Sequence, residues 1–427
     1  MDEIPTEYRC AVKALSELRK RKQSLRSIMR QFHGGRKFKT IYVLIDKVVK
    51  NVAVIKKVIE HTQLKQEIND CNDLLLEVLV AELLFGQKFE ALKSINSDII
   101  KQILEHESKI KQNYERIKKT KAKSSKKDAT VVKYVRVNLL KTTMDRVVKL
   151  LTESGFSFVS AQIDTLEQFI ETASKLQLED FLKDFNFPNE LIVINAKATI
   201  VITALDEYKA GEIIFQDKAS LFPIEMMRLK PNMKVLDVCG APGTKTAVMA
   251  SRCLNNIKIT TIDKDQKRCD EMKKLMKSLN VTCVDIKCQD FLDSSFKVEE
   301  NVDVILLDPS CSGSGMFDRH EYGEKKFDKG RCLKLASFQT KMLCKAMSLK
   351  PKRIVYSTCS VNTIENELVI KSAFKESPDS SNYKLIKDIP SWPKRGAQEL
   401  VQCIRSDSEF LTKGFFAAVM KRVEKTN

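Results

Sequence analysis

Two hydrophobic rhythms divide this chain. Up to about residue 118 apolar positions recur at helical spacing, as in Ile41, Val43, Leu44, Ile45, Val48 and Val49. A denser run follows from Leu74 to Phe85. Glycine there is confined to Gly34, Gly35 and Gly86, and proline to Pro5. This pattern predicts a helical domain over residues 1–118, with a break at Gly34-Gly35. The Lys-rich segment 119–130, poor in large apolar residues, predicts a linker. Residues 131–210 change character. VVKYVRVN alternates and predicts a strand, a helix is expected around Met144 to Leu151, and a short strand near Phe156 to Val159. With the apolar segments Leu191 to Ile194 and Thr199 to Thr203, they make a small α/β module.

From Gly211 to the end, short apolar strands alternate with amphipathic helices. Strands are expected near Lys234–Val238, Ile257–Ile262, Val281–Ile286, Val302–Leu307, Arg353–Ser357 and Phe415–Met420. That alternation predicts an α/β fold with a doubly wound, mostly parallel sheet. Ligands of such sheets bind at the carboxyl ends of the strands.

Charge adds a partner. The 427 residues carry a formal net charge of +18, which points to a polyanion, with nucleic acid first. Residues 1–130 hold 28 Lys+Arg against 17 Asp+Glu, so the amino-terminal third is the expected electrostatic anchor. Leu18 to Arg30, with Arg19, Lys20, Arg21, Lys22, Arg26 and Arg30, reads either as an RNA-facing helix or as a solvated face. Arg136 and Asn138 fall on the first expected strand, where they either touch phosphate and sugar or sit on a surface edge. The first thirty residues show no secretory pattern, and twelve scattered cysteines suggest free thiols in a reducing compartment. No C-x-x-C pair exists and the four histidines are dispersed, so no metal site is expected. The richest apolar run, Leu74 to Phe85, is interrupted by Glu77 and Glu82, so no membrane span is expected.

The chemistry gathers at the strand ends. VLDVCGAPGTKT runs from strand through a glycine turn into a helix start. It lacks the dinucleotide pattern G-x-G-x-x-G. Asp263 ends the next strand, placed for the two hydroxyls of a ribose, and Asp290 follows the third, placed for an adenine amino group. Each acid alone could cap a turn; together with the loop they suggest S-adenosyl-L-methionine. Asp308-Pro309-Ser310-Cys311 ends the fourth strand, where amino-group methyltransferases usually carry an aromatic residue. Cys359 ends the next strand, 48 residues on, followed by Glu365 and Glu367. Two thiols at adjacent strand ends fit methylation of carbon 5 of cytosine. A thiolate adding to carbon 6 makes an enamine nucleophilic enough to take a methyl group, and an acid near ring nitrogen 3 helps that addition. A cation such as Lys245 would favour the thiolate.

These residues resemble the RNA cytosine-carbon-5 methyltransferases of the NOP2/Sun (RsmB-like) family. GEIIFQDKAS is similar to the family's opening motif, CGAPGTK to its cofactor loop, DPSCSGSGM to its first cysteine motif and YSTCSVNTIENE to its second. The resemblance implies a Rossmann-like class I methyltransferase domain over residues 211–427. It also implies that Cys239, Gly240, Ala241, Pro242, Gly243, Thr244 and Lys245 line the cofactor, with Asp263, Arg268, Asp290 and Asp308. Cys359 would be the nucleophile, Cys311 the residue for product release, and Asp308 and Lys245 their support. DNA cytosine methyltransferases use instead the thiol after the fourth strand, so the pair of cysteines points to RNA. Gly240 and Thr244 depart from the usual C-A-A-P-G-G-K, where Ala and Gly stand. VLVAELLFGQKF, YVRVNLLKTT, IPSWPKRG and GFFAAVMKRV resemble the fifth human member's branch, which acts on large-subunit rRNA. That implies an rRNA or preribosomal partner and a place in the nucleus and nucleolus. A tRNA substrate, or a non-catalytic assembly factor that binds pre-rRNA, are the competing readings.

Overall fold

In the computed structural model, the described residues are 4–19, 38–68, 71–86, 92–93, 95–122, 131–298, 301–316, 327–397 and 399–423. The chain forms two units, one holding residues 1–128 with 318–327, the other holding the rest.

In the first unit the helices Thr6–Arg19, Phe38–Thr62 and Asp73–Phe85 pack around one apolar core, joined by Asp98–Glu105 and Glu107–Ala122. The stripe on Phe38–Thr62 buries Ile41, Leu44, Ile45, Val48 and Val49 but leaves Val43 outside. Ile45 to Val49 keeps the helical period, whereas Val43 falls on the opposite face. Asn72 caps Asp73–Phe85 by accepting from Leu74 N at 2.8 Å, and Ser97 caps the next helix through Ile100 N at 3.3 Å. Asp73–Phe85 is buried nearly all round, its two glutamates included. Glu82 meets Lys47 at 2.8 Å, while burial pushes the Glu77 carboxyl up. The helix Glu107–Ala122 runs into the stretch expected as linker. Residues 123–130 lie outside the described residues, as do the Gly34-Gly35 break and the basic stretch from Lys20 to Arg30.

The second unit starts with a five-stranded sheet of order β2-β3-β4-β1-β5. Its strands are β1 (Val132–Val137), β2 (Ser157–Phe158), β3 (Asp180–Lys183), β4 (Leu191–Asn195) and β5 (Ile213–Phe215). The last strand lies beyond residue 210, inside GEIIFQDKAS, so the module takes its closing strand from a motif expected to open the next domain. Thr199 to Thr203 is helical. Neither reading of Arg136 and Asn138 holds, since β1 is flanked on both sides and both side chains are buried. The Arg136 guanidinium donates to Gln216 Oε1 at 2.6 Å. Asn138 Nδ2 donates to the carbonyls of Gly211 and Leu279 at 3.0 and 3.1 Å. Asn138 therefore stitches the module to the following domain, and its alternation partner Arg136 faces inward for the same reason.

One buried and one half-buried ion-pair cluster continue that seam. Lys218 and Asp184 meet at 2.8 Å with no exposure on either side. The Lys218 ammonium also stands 4.7 Å from the Phe169 ring centre and 5.6 Å from that of Trp392. Arg252 forks onto Glu190 at 2.7 and 2.8 Å and reaches Glu225 at 2.9 Å.

The second sheet has the order β11-β13-β10-β9-β6-β7-β8, with β12 paired to β13. Its strands are β6 (Lys234–Val238), β7 (Lys258–Asp263), β8 (Val284–Cys288), β9 (Val304–Leu307), β10 (Arg353–Thr358), β11 (Tyr383–Leu385), β12 (Ile404–Ser406) and β13 (Phe415–Arg422). β6 to β10 pair in parallel, and β13 runs antiparallel to β10. The third strand starts three residues later than expected, because Asn280 takes a left-handed turn conformation and Val281 packs inward before pairing begins. Strand order reverses between β6 and β9, which opens a crevice at their carboxyl ends.

Candidate active site

The loop after β6 shapes the crevice. Cys239 and Gly240 donate their amides to the Ile262 carbonyl at 2.8 and 3.2 Å, tying the loop to β7. Gly240 lies so close to β7 that a Cβ there would stand 2.5 Å from Thr261 Cγ2 and 2.6 Å from Asp237 Oδ2. The glycine at this position, where the resembled loop has Ala, therefore matches a branched, fully buried Thr261. Gly243 has φ +99° and starts the helix Thr244–Arg252. Beneath the loop Thr246 Oγ1 donates to Asp237 Oδ2 at 2.5 Å. Burial raises the Asp237 carboxyl to about 7.

A cavity of about 240 Å³ opens beside this loop. Of the expected cofactor residues, Cys239, Asp263, Arg268 and Asp290 line it; Gly240 to Lys245 and Asp308 lie outside its lining. Asp263 is nearly buried, 3.0 Å from the Arg268 guanidinium. Arg268 also donates to the Ala241 carbonyl, so one side chain joins the loop to the acid. Asp290 is exposed and accepts from Leu292 N at 2.9 Å. The apolar walls, Phe291, Leu335, Phe338 and Met342, went unread in the sequence. Phe291 stood next to Asp290 as a signal. The other three come from the helix Lys329–Ser348, and nothing local marks a helix face that tertiary packing turns toward the cavity. Burial, with neighbouring carboxylates, pushes the Cys239 thiol up to about 12.

The other side of the crevice holds the thiols. Because β9 and β10 are parallel neighbours, the loops leaving them run side by side. Cys311 Sγ and Cys359 Sγ lie 3.2 Å apart. The bond to Cys359 and then burial push the Cys311 thiol far up. From the first turn of the helix Thr244–Arg252, Lys245 Nζ reaches Asp308 Oδ2 at 2.6 Å, and Ser357 Oγ donates to Asp308 Oδ1 at 2.7 Å. Burial opposes the Lys245 charge, but Asp308 outweighs it, with a smaller contribution from Cys359, and the ammonium is held above its ordinary range. The fold thus brings Lys245, Asp308, Cys311 and Cys359 into one cluster, with the cavity against Ser310 of the same loop.

All twelve cysteines are described, and they are thiols rather than disulfides. Among the described residues no three His, Cys, Asp or Glu side chains gather to hold a metal, and no helix is long and apolar enough to cross a membrane.

A switch-point sheet with a closing antiparallel strand, a glycine loop and two acids at successive strand ends define a class I methyltransferase fold. The chain matches the model of the 16S rRNA methyltransferase RsmB/F family over residues 224–421. Residues 131–216 match the ferredoxin-like domain of NOL1/NOP2/Sun domain family member 5. The chain is 33% identical over 438 residues to the 28S rRNA (cytosine-C(5))-methyltransferase of Mus musculus, covering 98% of this chain and 91% of the mouse protein. It is 31% identical over 409 residues to the 25S rRNA (cytosine-C(5))-methyltransferase rcm1 of Schizosaccharomyces pombe, covering 92% and 84%. The fold also matches a crystal structure of a methyltransferase homologue from Pyrococcus horikoshii, with TM-score 0.54, 21% identity, and 87% and 99% of the two chains covered. The chain belongs to the RsmB/F methyltransferase family, in the branch that carries the member 5 ferredoxin-like domain.

Proposed function

We propose that this enzyme methylates carbon 5 of a cytosine in large-subunit rRNA, with S-adenosyl-L-methionine as methyl donor and Cys359 as nucleophile. The carrying observation is the pair of thiols 3.2 Å apart beside the Lys245–Asp308 ion pair. The relatives named for 28S and 25S rRNA, aligned over nearly the whole chain, support the substrate. They also support a place in the nucleus and nucleolus.

The cavity suits the cofactor. Asp263 and Asp290 supply acceptors for a ribose and an amino group, and Phe291 and Phe338 supply apolar walls for a purine. A side chain at Gly240 would crowd the loop against Asp237 and Thr261. When bound there, S-adenosyl-L-methionine supplies an electrophilic methyl group. The Cys359 thiolate, with the Cys311 S–H and the Lys245 ammonium near it, adds to carbon 6 of the cytosine. Asp308 holds Lys245 charged, and that ammonium is the group that would give ring nitrogen 3 its proton. The bond to carbon 6 makes carbon 5 a nucleophile, which takes the methyl group. Water then takes the carbon 5 proton, the carbon 6–sulfur electron pair leaves with Cys359 as thiolate, and ring nitrogen 3 gives back the proton it took up, with Cys311 placed to assist that release. A cytosine inside a helix must first be unstacked to reach these thiols.

The test uses labelled cofactor with large-subunit rRNA, tRNA and DNA, and the Cys311→Ala variant. Transfer confined to large-subunit rRNA, with a nuclease-sensitive covalent adduct in Cys311→Ala that vanishes in Cys311→Ala/Cys359→Ala, is expected. Transfer to tRNA or DNA in its place, or full activity in Cys359→Ala, would overturn the reading.

A further inference from the structure

The last paired residues of β9 and β10 are Leu307 and Tyr356. Beyond them the ladder no longer sets how the two loops lie together. Cys311 sits one residue further past that pair than Cys359 does, so the equal level of the two sulfurs is not a consequence of strand register. Something else must hold them.

Glu365 lies at the junction. It sits on the short turn Thr363–Glu365 and is fully buried. Its Oε1 accepts from the amide of Ser312, next to Cys311, at 2.7 Å. Its Oε2 accepts from Ser360 Oγ, next to Cys359, at 2.7 Å. One carboxylate therefore grips the residue after each thiol. Further donors converge on it: Asn362 Nδ2 at 3.3 Å, and Gln339 Nε2 at 3.5 Å, which also donates to the Ser310 carbonyl at 2.9 Å. The Tyr356 hydroxyl donates to the Glu365 carbonyl at 2.6 Å, fixing the turn to the last residue of β10 that pairs with β9. Ser314 Oγ meets Ser360 Oγ at 3.0 Å, and Gly315 N donates to the Cys359 carbonyl at 3.0 Å, so the lacing continues on the far side of the thiols.

A buried carboxylate is expensive unless hydrogen bonds satisfy it. Here those bonds come from the two loops that carry the proposed nucleophile and release residue. Thr358 and Asn366 form a separate hydrogen bond at 2.6 Å, so the turn has its own anchor and does not need the carboxylate to exist. We infer that Glu365 is a positioning residue: it sets the distance and orientation of Cys311 relative to Cys359, and thereby the rate at which the covalent intermediate breaks down. This rests on the two-cysteine reading above.

Glu365→Gln keeps volume and replaces one acceptor oxygen with a donor, in a site where Ser312 N, Asn362 and Gln339 all donate. The experiment compares full-length wild type, Cys311→Ala and Glu365→Gln on unmethylated large-subunit rRNA with S-adenosyl-L-methionine. It reads turnover, KM for RNA, thermal midpoint, and the share of protein in a denaturation-resistant RNA adduct during steady state. Loss of alignment by a fraction of an ångström predicts a fall in kcat of about 10- to 100-fold. KM for RNA stays near that of the wild type, and the adduct share rises toward that of Cys311→Ala. A merely structural role would lower the thermal midpoint and the active fraction while leaving adduct and product in wild-type proportion, which overturns the inference. Ser360→Ala removes one limb of the clamp and leaves a small side chain. It decides the matter where Glu365→Gln does not fold: a raised adduct share supports the clamp, and a wild-type share refutes it. Absence of adduct from Cys311→Ala refutes the two-cysteine reading itself. Adduct from Cys311→Ala, with Glu365→Gln behaving as wild type, refutes the role of Glu365 alone.

Discussion

The two sides of the crevice are built differently, although one sheet supplies both. On the side of β7 and β8, the cavity is walled by apolar side chains, and its acids are held by few bonds. Asp290 is exposed, and Arg268, partner of Asp263, is about two-fifths exposed. On the side of β9 and β10, the residues around the thiols are laced through Ser312, Ser314, Ser360, Asn362 and the buried Glu365. A small molecule that must enter and leave at every turnover needs accessible polar contacts. A sulfur that must attack one ring carbon needs a fixed position. Accessibility and rigidity are divided between the two halves of the switch point.

Substitutions on the two sides should therefore fail in different ways. The largest effect is expected at the thiols. Cys359→Ala should abolish methyl transfer while leaving cofactor affinity, measured by calorimetry, unchanged. A parallel loss of cofactor binding would join the two sides that the geometry separates.

Next comes the bridge between them. Asp308→Asn removes the carboxylate that keeps Lys245 charged against burial. Since Asp308 raises the Lys245 pKa, its loss lowers it, and the alkaline limb of the pH–rate profile should move to lower pH. A fall in kcat of about 10²- to 10⁴-fold accompanies the loss of a positioned proton-transfer group. An unmoved alkaline limb would take Lys245 out of the chemistry.

A smaller effect is expected beneath the cofactor loop. The Asp237 carboxyl sits at about 7 in the fold against an ordinary 3.8, through burial. Between those values the folded chain keeps a proton that the unfolded chain has lost, so stability falls as pH rises from about 4 to about 7. The drop is roughly 4 kcal/mol at most. Asp237→Asn should flatten that part of the stability curve. Denaturant titrations at several pH values would show it, and an unchanged slope would remove Asp237 from the account.

The smallest effect is expected at Gly240. Gly240→Ala presses a methyl group onto Thr261 and Asp237 and should cost about 1–3 kcal/mol, as overpacking does. Thr261→Ser in the same chain should recover part of it, because the Cγ2 methyl is gone. Absence of coupling between the two substitutions in a thermal-denaturation cycle would break the link between loop and strand.

Much of the sheet was legible because its signal is local. Five parallel strands were visible as short apolar runs, since both faces of a parallel sheet are covered by helices. Cys311 and Cys359 were legible for the same reason: each follows a run of buried residues, so each must stand at a strand end. Arg136 shows where this reasoning stops. A charged residue on an alternating strand reads as surface, and only the second partner strand, β5, together with Gln216 from the following loop, makes that position interior. Leu335, Phe338 and Met342 likewise carry no mark of their orientation.

The sequence by itself determined at which strand ends the candidate residues stand, because hydrophobic period and turn residues act over a few neighbours. It also determined the family, through motifs whose spacing is linear. Tertiary structure alone decided that the two sulfurs lie 3.2 Å apart and that Lys245 crosses to Asp308. It alone made Glu365 the meeting point of both cysteine loops. Most of those relations join residues dozens of positions apart, and they exist only once β9 pairs with both β6 and β10 and burial forces each polar group to find a partner.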